Sequence, residues 1–177
     1  VKSIDTTTNK ETYTPINAKP VKRFFVEMLT RDISLEDAIL DLLDNCIDGI
    51  LRIQQGDLNS ETPYAGFWAK IKLSGDRFEI EDNCGGIPWS EHDRAFRMGR
   101  PLLTDSSTTN TTLGVGVYGI GMKRAIFKMG NKALIWTQNG EDNYQIPIST
   151  EWMNAEDSWD LPVESEEELQ EIDIREL

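Results

Sequence analysis

Residues 41–49 carry the sequence DLLDNCIDG, inside a longer segment with helical periodicity. Apolar side chains recur there at steps of three and four residues, which predicts a helix over about residues 34–55. Ser34, with Asp37 three residues later, resembles a helix N-cap. Aspartates and one asparagine follow the same period beside the apolar face. One flank of a buried helix is therefore predicted to be crowded with carboxylates.

The acidic flank has two interpretations. Aspartates four residues apart, such as Asp44 and Asp48, repel each other by about a few tenths of a kcal/mol on an exposed helix, and a solvated face tolerates that. Alternatively, Asp41 and Asn45 lie one turn apart and point together at Mg²⁺, a hard ion that prefers oxygen ligands. The motifs that follow in the chain decide between the two.

A second motif occupies residues 81–88, with the sequence EDNCGGIP. The residues before it alternate over 67–73 and 77–80, which predicts a hairpin that ends at this motif. The Asp82 carboxylate is suited to accept a hydrogen bond from an exocyclic amine such as that of adenine. Gly86 lets the backbone approach a flat ligand closely. The alternative is an ordinary acidic turn.

A third motif spans residues 114–130, where four alternating glycines open a predicted helix. Free backbone N–H groups at a helix start form an anion site. Lys123 either adds charge to a bound phosphate or decorates an exposed helix surface. The residues before Gly114 read as loop rather than strand, which excludes the dinucleotide fingerprint, and no Gly-Lys-Ser/Thr of a P-loop is present.

In this order and spacing, the three motifs resemble those of the GHKL ATPase superfamily of gyrase, heat-shock chaperones, histidine kinases and MutL. The resemblance covers roughly residues 20–148. It implies that Asn45 binds the metal and Asp41 orients the attacking water. It also implies that Asp82, with Gly86 beside it, binds adenine.

The resemblance assigns the phosphates to the third motif. Gly116, Gly119 and Gly121 would form the hinge of an ATP lid, with Lys123 as a phosphate contact and residues 99–113 as the lid. Asp-Asn-x-x-Asp in the first motif resembles the chaperone, MutL, topoisomerase VI and Morc-type branches more than the histidine kinases. The run Tyr-Gly-x-Gly-Met-Lys is similar to the Morc-like end of the family.

The sequence departs from the family pattern at three places. Asp41 stands where hydrolytic branches usually carry Glu, which sets its oxygen about 1.5 Å further from the water and predicts slow hydrolysis. Cys84 replaces the first glycine of the second motif, so Gly85 is expected to take the strained conformation. The family places a Thr beside adenine on a late strand, and neither Thr137 nor Thr150 has that sequence context.

The resulting fold prediction is an α/β two-layer sandwich of the Bergerat type. A mixed β-sheet from segments near 66–73, 76–82, 132–138 and 143–148 is covered on one face by helices near 20–30, 34–54 and 119–130. Residues 1–19 lack periodicity and are predicted to be an N-terminal arm. Residues 20–177 are predicted to be the ATP-binding domain, truncated at its C-terminus and belonging to a longer protein.

The composition of the chain limits the binding partners and the cellular compartment that we expect. The chain has 177 residues and a net charge of −13, which argues against direct binding of nucleic acid or of an anionic membrane by this domain. Cys46 and Cys84 are sparse thiols rather than a disulfide framework, which favours the cytoplasm. They flank the motif residues and could approach each other, although two sulfurs alone do not make a zinc site. His92, the only histidine, is predicted to be a surface residue.

Three functions remain open at this point. The first is Mg²⁺-dependent ATP binding with slow hydrolysis, which would drive lid closure and homodimerisation together with C-terminal domains beyond this chain. The second is a switch that senses ATP without hydrolysing it. The third is phosphotransfer of the histidine-kinase type, against which the chain shows no phosphoacceptor helix upstream.

Overall fold

The computed structural model describes residues 2–4, 11–54, 61–99, 119–140, 142–156 and 158–165. Five α-helices lie within them: α1 (Lys22–Thr30), α2 (Leu35–Ile53), α3 (His92–Phe96), α4 (Gly121–Met129) and α5 (Thr150–Asn154). A 3₁₀ turn at Trp89–Glu91 precedes α3. The described strands are β1 (Lys2–Ile4), β2 (Glu11–Tyr13), β3 (Ala69–Leu73), β4 (Phe78–Asp82), β5 (Ala133–Asn139), β6 (Asp142–Ile148) and β7 (Glu164–Ser165).

Helix α2 is the long helix predicted around the first motif. The Ser34 hydroxyl accepts a hydrogen bond from the Asp37 backbone N–H at 3.0 Å, which confirms the N-cap. The apolar side of α2 packs on α4 through Ala38 and Ala125, which are both completely buried. Ile33, just before α2, belongs to the same cluster. Two alanines at the contact let the helix backbones approach closely. The first and third motifs are therefore neighbours because their helices are packed together.

Helix α1 is fastened to α5 through a buried lysine. Lys22 is only 1% exposed, and its ammonium donates to the Trp152 carbonyl at 2.5 Å while lying 4.1 Å from the centre of the Trp152 ring. Burial lowers the pKa of Lys22, and the charge of Asp160 opposes that shift. The cation–π contact compensates for part of the lost hydration.

The strands form an α/β fold with the helices, but not the single mixed sheet predicted from the sequence. All strand pairs of the described residues are antiparallel, and they form three sheets of order β1-β2, β3-β4 and β5-β6-β7. The two larger sheets meet at the residues after β4. Gly85 and Gly86 take positive φ angles of 97° and 58° there, so the chain turns where a ladder to β5 would have to continue.

The structure can be compared with three further predictions: the hairpin, the short helix after it and the N-terminal arm. The hairpin before the second motif is confirmed, with Ile71 opposite Ile80. The short helical segment after it is also confirmed. Residues 2–4 and 11–13, within the predicted N-terminal arm, pair as a two-stranded sheet. Strands of three residues are too short to show an alternating pattern. Among all the residues that the structure describes, no helix has the length and apolar character needed to cross a membrane.

The glycine turn after β4 generates a stability prediction. A Cβ at Gly86 would lie 2.2 Å from the Gln138 carbonyl oxygen, whereas a Cβ at Gly140, which has nearly the same φ, would meet nothing within 4 Å. We expect Gly140→Ala to lower the free energy of unfolding by about 1 kcal/mol, the cost of the left-handed conformation alone. Gly86→Ala adds a steric conflict and should cost about 2–4 kcal/mol.

Urea denaturation of both variants measures the difference. Equal losses in the two variants would mean that the turn can move away from β5, and the close contact at Gly86 would then be dispensable.

Candidate functional site

The first and third motifs meet at the Asp41 carboxylate. A Cβ at Gly121, the first residue of α4, would lie 3.5 Å from Asp41 Cγ. One turn further along α4, Arg124 forms a two-pronged ion pair with Asp41, with Nε 2.6 Å from Oδ2 and Nη2 3.1 Å from Oδ1. Asp41 is 17% exposed and Arg124 36%. The carboxylate is thus held in a fixed orientation at the start of α4.

Arg124 is a site residue that sequence reasoning missed. Its fork geometry matches the carboxylate, which makes this pair stronger than a single charged hydrogen bond. The hydrogen bond with Asp41 raises the pKa of Arg124, with burial opposing it. The signal in the sequence was the position of Arg124 on α4, one turn after the last motif glycine, but its partner lies 83 residues away along the chain.

Asn45 lies one turn after Asp41 on α2 and is exposed. Its side-chain nitrogen donates to the Asp41 backbone carbonyl at 2.7 Å, so that bond leaves the amide oxygen as the group available to a cation. Asp44 lies beside it, and its pKa is raised by burial and then by the charges of Asp41 and Asp48. The flank therefore carries an electrostatic cost that a bound cation would relieve.

The second motif forms a structured turn at the end of β4. The Asp82 carboxylate is exposed and accepts a hydrogen bond from the Cys84 backbone N–H at 2.7 Å. Asn83 donates to the Gly66 carbonyl at 2.9 Å and accepts from the Trp68 backbone N–H at 2.7 Å. The positive φ of Gly85 confirms that this glycine, and not the preceding cysteine, supplies the strained position.

The turn is attached to α2 on one side. A Cβ at Gly49 would lie 2.3 Å from the Cys84 carbonyl oxygen, so only glycine fits there without a shift. The Arg52 guanidinium donates to the Gly86 carbonyl. Arg52 is a second residue that sequence reasoning missed, because an arginine in the last turn of a helix ordinarily reads as a C-terminal charge.

The turn is attached to β5 and β6 on the other side. The buried Thr137 hydroxyl accepts a hydrogen bond from the Ile87 backbone N–H at 2.6 Å, and the Tyr144 hydroxyl donates to the Ile87 carbonyl at 3.0 Å. The sequence context of Thr137 did not match the threonine expected beside adenine on a late strand. In the structure Thr137 lies beside the second motif, with its hydroxyl oxygen 2.8 Å from where a Cβ at Gly86 would be.

Lys123 is buried. It is 3% exposed, and its ammonium donates to the Ala95 carbonyl of α3 at 2.7 Å. The exposed-surface interpretation of this lysine is therefore wrong. Its role as a phosphate contact stays a prediction, and in this structure its charge is directed toward the chain that follows the second motif.

Part of the predicted phosphate site lies outside the described residues. Gly116 and residues 100–113 of the predicted lid belong there. Gly119 and Gly121 are described, and Gly119 has a φ of 64°, which glycine adopts without strain. His92, in the short helical segment just after the second motif, is half-buried and stacks on Trp89 at 3.9 Å between ring centres.

A comparison with known protein families matches residues 33–176 to the family described as histidine kinase-, DNA gyrase B- and HSP90-like ATPases. The match covers the three motifs and all the helices and strands that position them, from α2 to β7. The chain therefore belongs to this GHKL-type family, and its fold is an ATP-binding domain of that class. Membership implies ATP binding, and the family typically uses Mg²⁺ with it.

The donor set at the first motif fits Mg²⁺. An amide oxygen at Asn45 and carboxylates on the same flank are hard oxygen ligands, and Mg²⁺ typically takes one or two such protein ligands together with water and phosphate oxygens. Burial raises the pKa of Asp44, and the charges of Asp41 and Asp48 raise it further, so a cation bound on this flank would favour the charged carboxylate.

The Asp41–Arg124 pair generates a prediction for a double-mutant cycle. We expect Asp41→Asn, Arg124→Gln and their combination to give a coupling energy of about 1–2 kcal/mol in urea denaturation, because the pair is two-pronged and half-buried. The matched control is Arg23 with Glu27, an exposed pair at 84% and 65%, whose coupling should stay below about 0.5 kcal/mol. Equal coupling energies in the two pairs would contradict a structural role for Arg124.

Proposed function

We propose that this domain binds ATP with Mg²⁺ between the flank of α2 and the start of α4, with adenine on Asp82, and hydrolyses it slowly. The observation that carries the proposal is the convergence of the three motifs. Helix α2 contacts the turn of the second motif at Gly49 and the start of α4 at Asp41. A carboxylate, an amide oxygen and a glycine-rich helix start thereby face one region.

The adenine end of the proposed site rests on Asp82 and Thr137. The Cys84 backbone N–H donates to one carboxylate oxygen of Asp82, and the exposed carboxylate offers further acceptor lone pairs to an exocyclic amine. Thr137 is buried beside the same turn, and we propose that its hydroxyl lies near the bound adenine. Gly86 keeps the surface between them free of a side chain.

At the phosphate end, Mg²⁺ would supply charge neutralisation of the phosphate oxygens. Asn45 would hold it through the amide oxygen, and Asp41 would orient the water that attacks the γ-phosphate. The guanidinium of Arg124 takes one lone pair from each Asp41 oxygen, which leaves further lone pairs for that water. Gly116, Gly119, Gly121 and Lys123 complete the proposed phosphate contacts.

The finer assignments belong to the same proposal. The Asp-Asn-x-x-Asp run and the Tyr-Gly-x-Gly-Met-Lys run support a place nearest the Morc-like, MutL-like and topoisomerase VI-like branches. A relationship to these branches implies lid closure, ATP-dependent homodimerisation and coupling to C-terminal domains of a larger protein. Two free thiols in the described core support a reducing, cytoplasmic setting.

The alternative is an ATP-sensing switch that closes without turnover. The ion pair favours it, because Asp41 is both shorter than the Glu of hydrolytic branches and already engaged by Arg124. A carboxylate held in this way needs either a repositioned water or release from Arg124 before it can act.

Nucleotide binding is tested by calorimetric titration of ATP and Mg²⁺ into the protein. We expect Asp82→Asn to weaken binding by about 10–100-fold, because a charged hydrogen bond contributes roughly 1.5–3 kcal/mol. The control is Asp76→Asn, at the exposed turn between β3 and β4. An unchanged affinity in Asp82→Asn would place adenine elsewhere.

Turnover separates the ATPase from the switch. If Asp41 orients the water, Asp41→Ala should lower kcat by about 100-fold or more while ATP affinity changes little, and Asp41→Glu should raise kcat. Asp37→Ala, one turn earlier and exposed, is the control. Turnover that is equally slow in the wild type and in Asp41→Ala, with normal affinity in both, would favour the switch.

A further inference from the structure

A cluster of metal-binding side chains lies at the junction of α2 and the second motif. The sulfurs of Cys46 and Cys84 and a carboxylate oxygen of Asp82 all lie within 4.8 Å of one another. The cysteines are 8% and 3% exposed, while Asp82 is exposed. The cluster is thus a buried pair of sulfurs with one oxygen ligand on the solvent side.

The cluster is held by contacts that the fold already requires. The close approach of Gly49 to the Cys84 backbone brings the two cysteines together. The Cys84 backbone N–H binds Asp82 Oδ1 at 2.7 Å, which turns the carboxylate back toward the sulfurs. Apolar side chains surround the thiols, among them Ile50, Phe67 and Ile80. The three ligand atoms are therefore pre-arranged rather than brought together by chance on a mobile surface.

Without a metal, the two thiols donate hydrogen bonds to backbone carbonyls, Cys46 to Leu42 at 3.7 Å and Cys84 to Trp68 at 3.9 Å. Burial raises the pKa of Cys46 to about 12, with the Asp82 charge as the next cause, and burial also raises the pKa of Cys84. Both thiols are consequently protonated and neutral near neutral pH. A divalent cation would reverse this, since it stabilises thiolates and neutralises the carboxylate, and both displaced protons would pass to solvent.

The donor set selects the kind of cation. Thiolates prefer Zn²⁺ or Cd²⁺ over the hard Mg²⁺. Tetrahedral coordination with Zn–S distances of about 2.3 Å places two sulfurs about 3.8 Å apart, so the cluster needs to contract by no more than about 1 Å. A disulfide is less favoured by the same surroundings, because the adjacent carboxylate disfavours the thiolate that oxidation requires.

We propose that Cys46, Cys84 and Asp82 form a three-ligand site for a thiophilic divalent cation such as Zn²⁺, with the fourth position open to solvent. The site differs from the Mg²⁺ position at Asn45 in both ligands and location. It has a consequence that rests on the proposed function, because Asp82 is also the proposed adenine ligand. Zn²⁺ and ATP would then exclude each other, and the metal would act as an inhibitor of nucleotide binding.

The probe is Cd²⁺ titrated into the protein in a phosphine reductant, followed by the ultraviolet charge-transfer absorption of Cd–thiolate bonds. We expect one Cd²⁺ per chain. Cys46→Ser and Cys84→Ser should each reduce the absorption and weaken binding by about 100-fold or more, with thermal unfolding used to confirm that both variants are folded. Asp82→Asn should weaken binding less, and Asp76→Asn should leave it unchanged.

Two results would overturn the site: no thiolate absorption in the wild type, or absorption that survives in both serine variants. Competition separates this proposal from the proposed function. Because ATP itself chelates Cd²⁺, the competition is measured as ATP affinity with Mg²⁺ in excess. A loss of ATP affinity on adding one Cd²⁺ per chain, seen in the wild type and absent in Cys46→Ser, supports the shared carboxylate. Thiolate binding of Cd²⁺ together with ATP binding that Asp82→Asn leaves unchanged would keep the metal site and overturn the adenine role. ATP binding that depends on Asp82, without any Cd–thiolate absorption, would overturn the metal site alone.

Discussion

The structure depends on the close approach of α2 to the turn after β4. Gly49 is buried in the helix, and its missing side chain leaves room for the Cys84 carbonyl, which a Cβ would meet at 2.3 Å. The helix carries Asp41 and Asn45, and the turn carries Asp82. Because backbone packs against backbone at this point, the contact sets the distance between the first and second motifs. A site built from separate elements needs such a fixed distance between them.

Helix α2 is also constrained by α4, which packs on it nearer its N-terminus. The small side chains of Ala38 and Ala125 let the two helices come close together, and the guanidinium of Arg124, the residue before Ala125, meets Asp41 one turn after Ala38 on α2. Burial raises the pKa of Asp44, and the charges of Asp41 and Asp48 raise it further, while the Arg124 guanidinium offsets part of the negative charge on this flank. Carboxylates beside a helix N-terminus suit a cation that is bound together with an anion.

The sequence predicted what short-range patterns encode. The period of α2, its Ser34 cap and the hairpin before Asp82 are local features, and the structure confirms them. Long-range contacts were not predictable in this way. Thr137 was discounted because no glycine precedes it, yet β5 lies against Gly86 and places the hydroxyl on Ile87. Arg124 and Lys123 are adjacent cations on one helix, and only tertiary packing shows that one pairs with Asp41 while the other is buried against Ala95.

The prediction of one mixed sheet was wrong for a related reason. Strand periodicity shows which face is buried but does not show where pairing stops. The ladder ends at the consecutive glycines after β4. The turn is joined to β5 by side-chain hydrogen bonds instead: the Thr137 hydroxyl accepts from the Ile87 N–H, and the Asn139 amide donates to the Gly85 carbonyl. Asp82 is the last residue of β4, where it pairs with Ala69, and its carboxylate is exposed at the point where that ladder ends.

The most direct test of the central claim is an experimental structure of the protein with Mg²⁺ and a non-hydrolysable ATP analogue. The proposal predicts the adenine amine within hydrogen-bond distance of the Asp82 carboxylate, with Thr137 beside it, and the cation on the Asn45 amide oxygen. Nucleotide bound away from the turn after β4, or a cation that Asn45 does not contact, would contradict it.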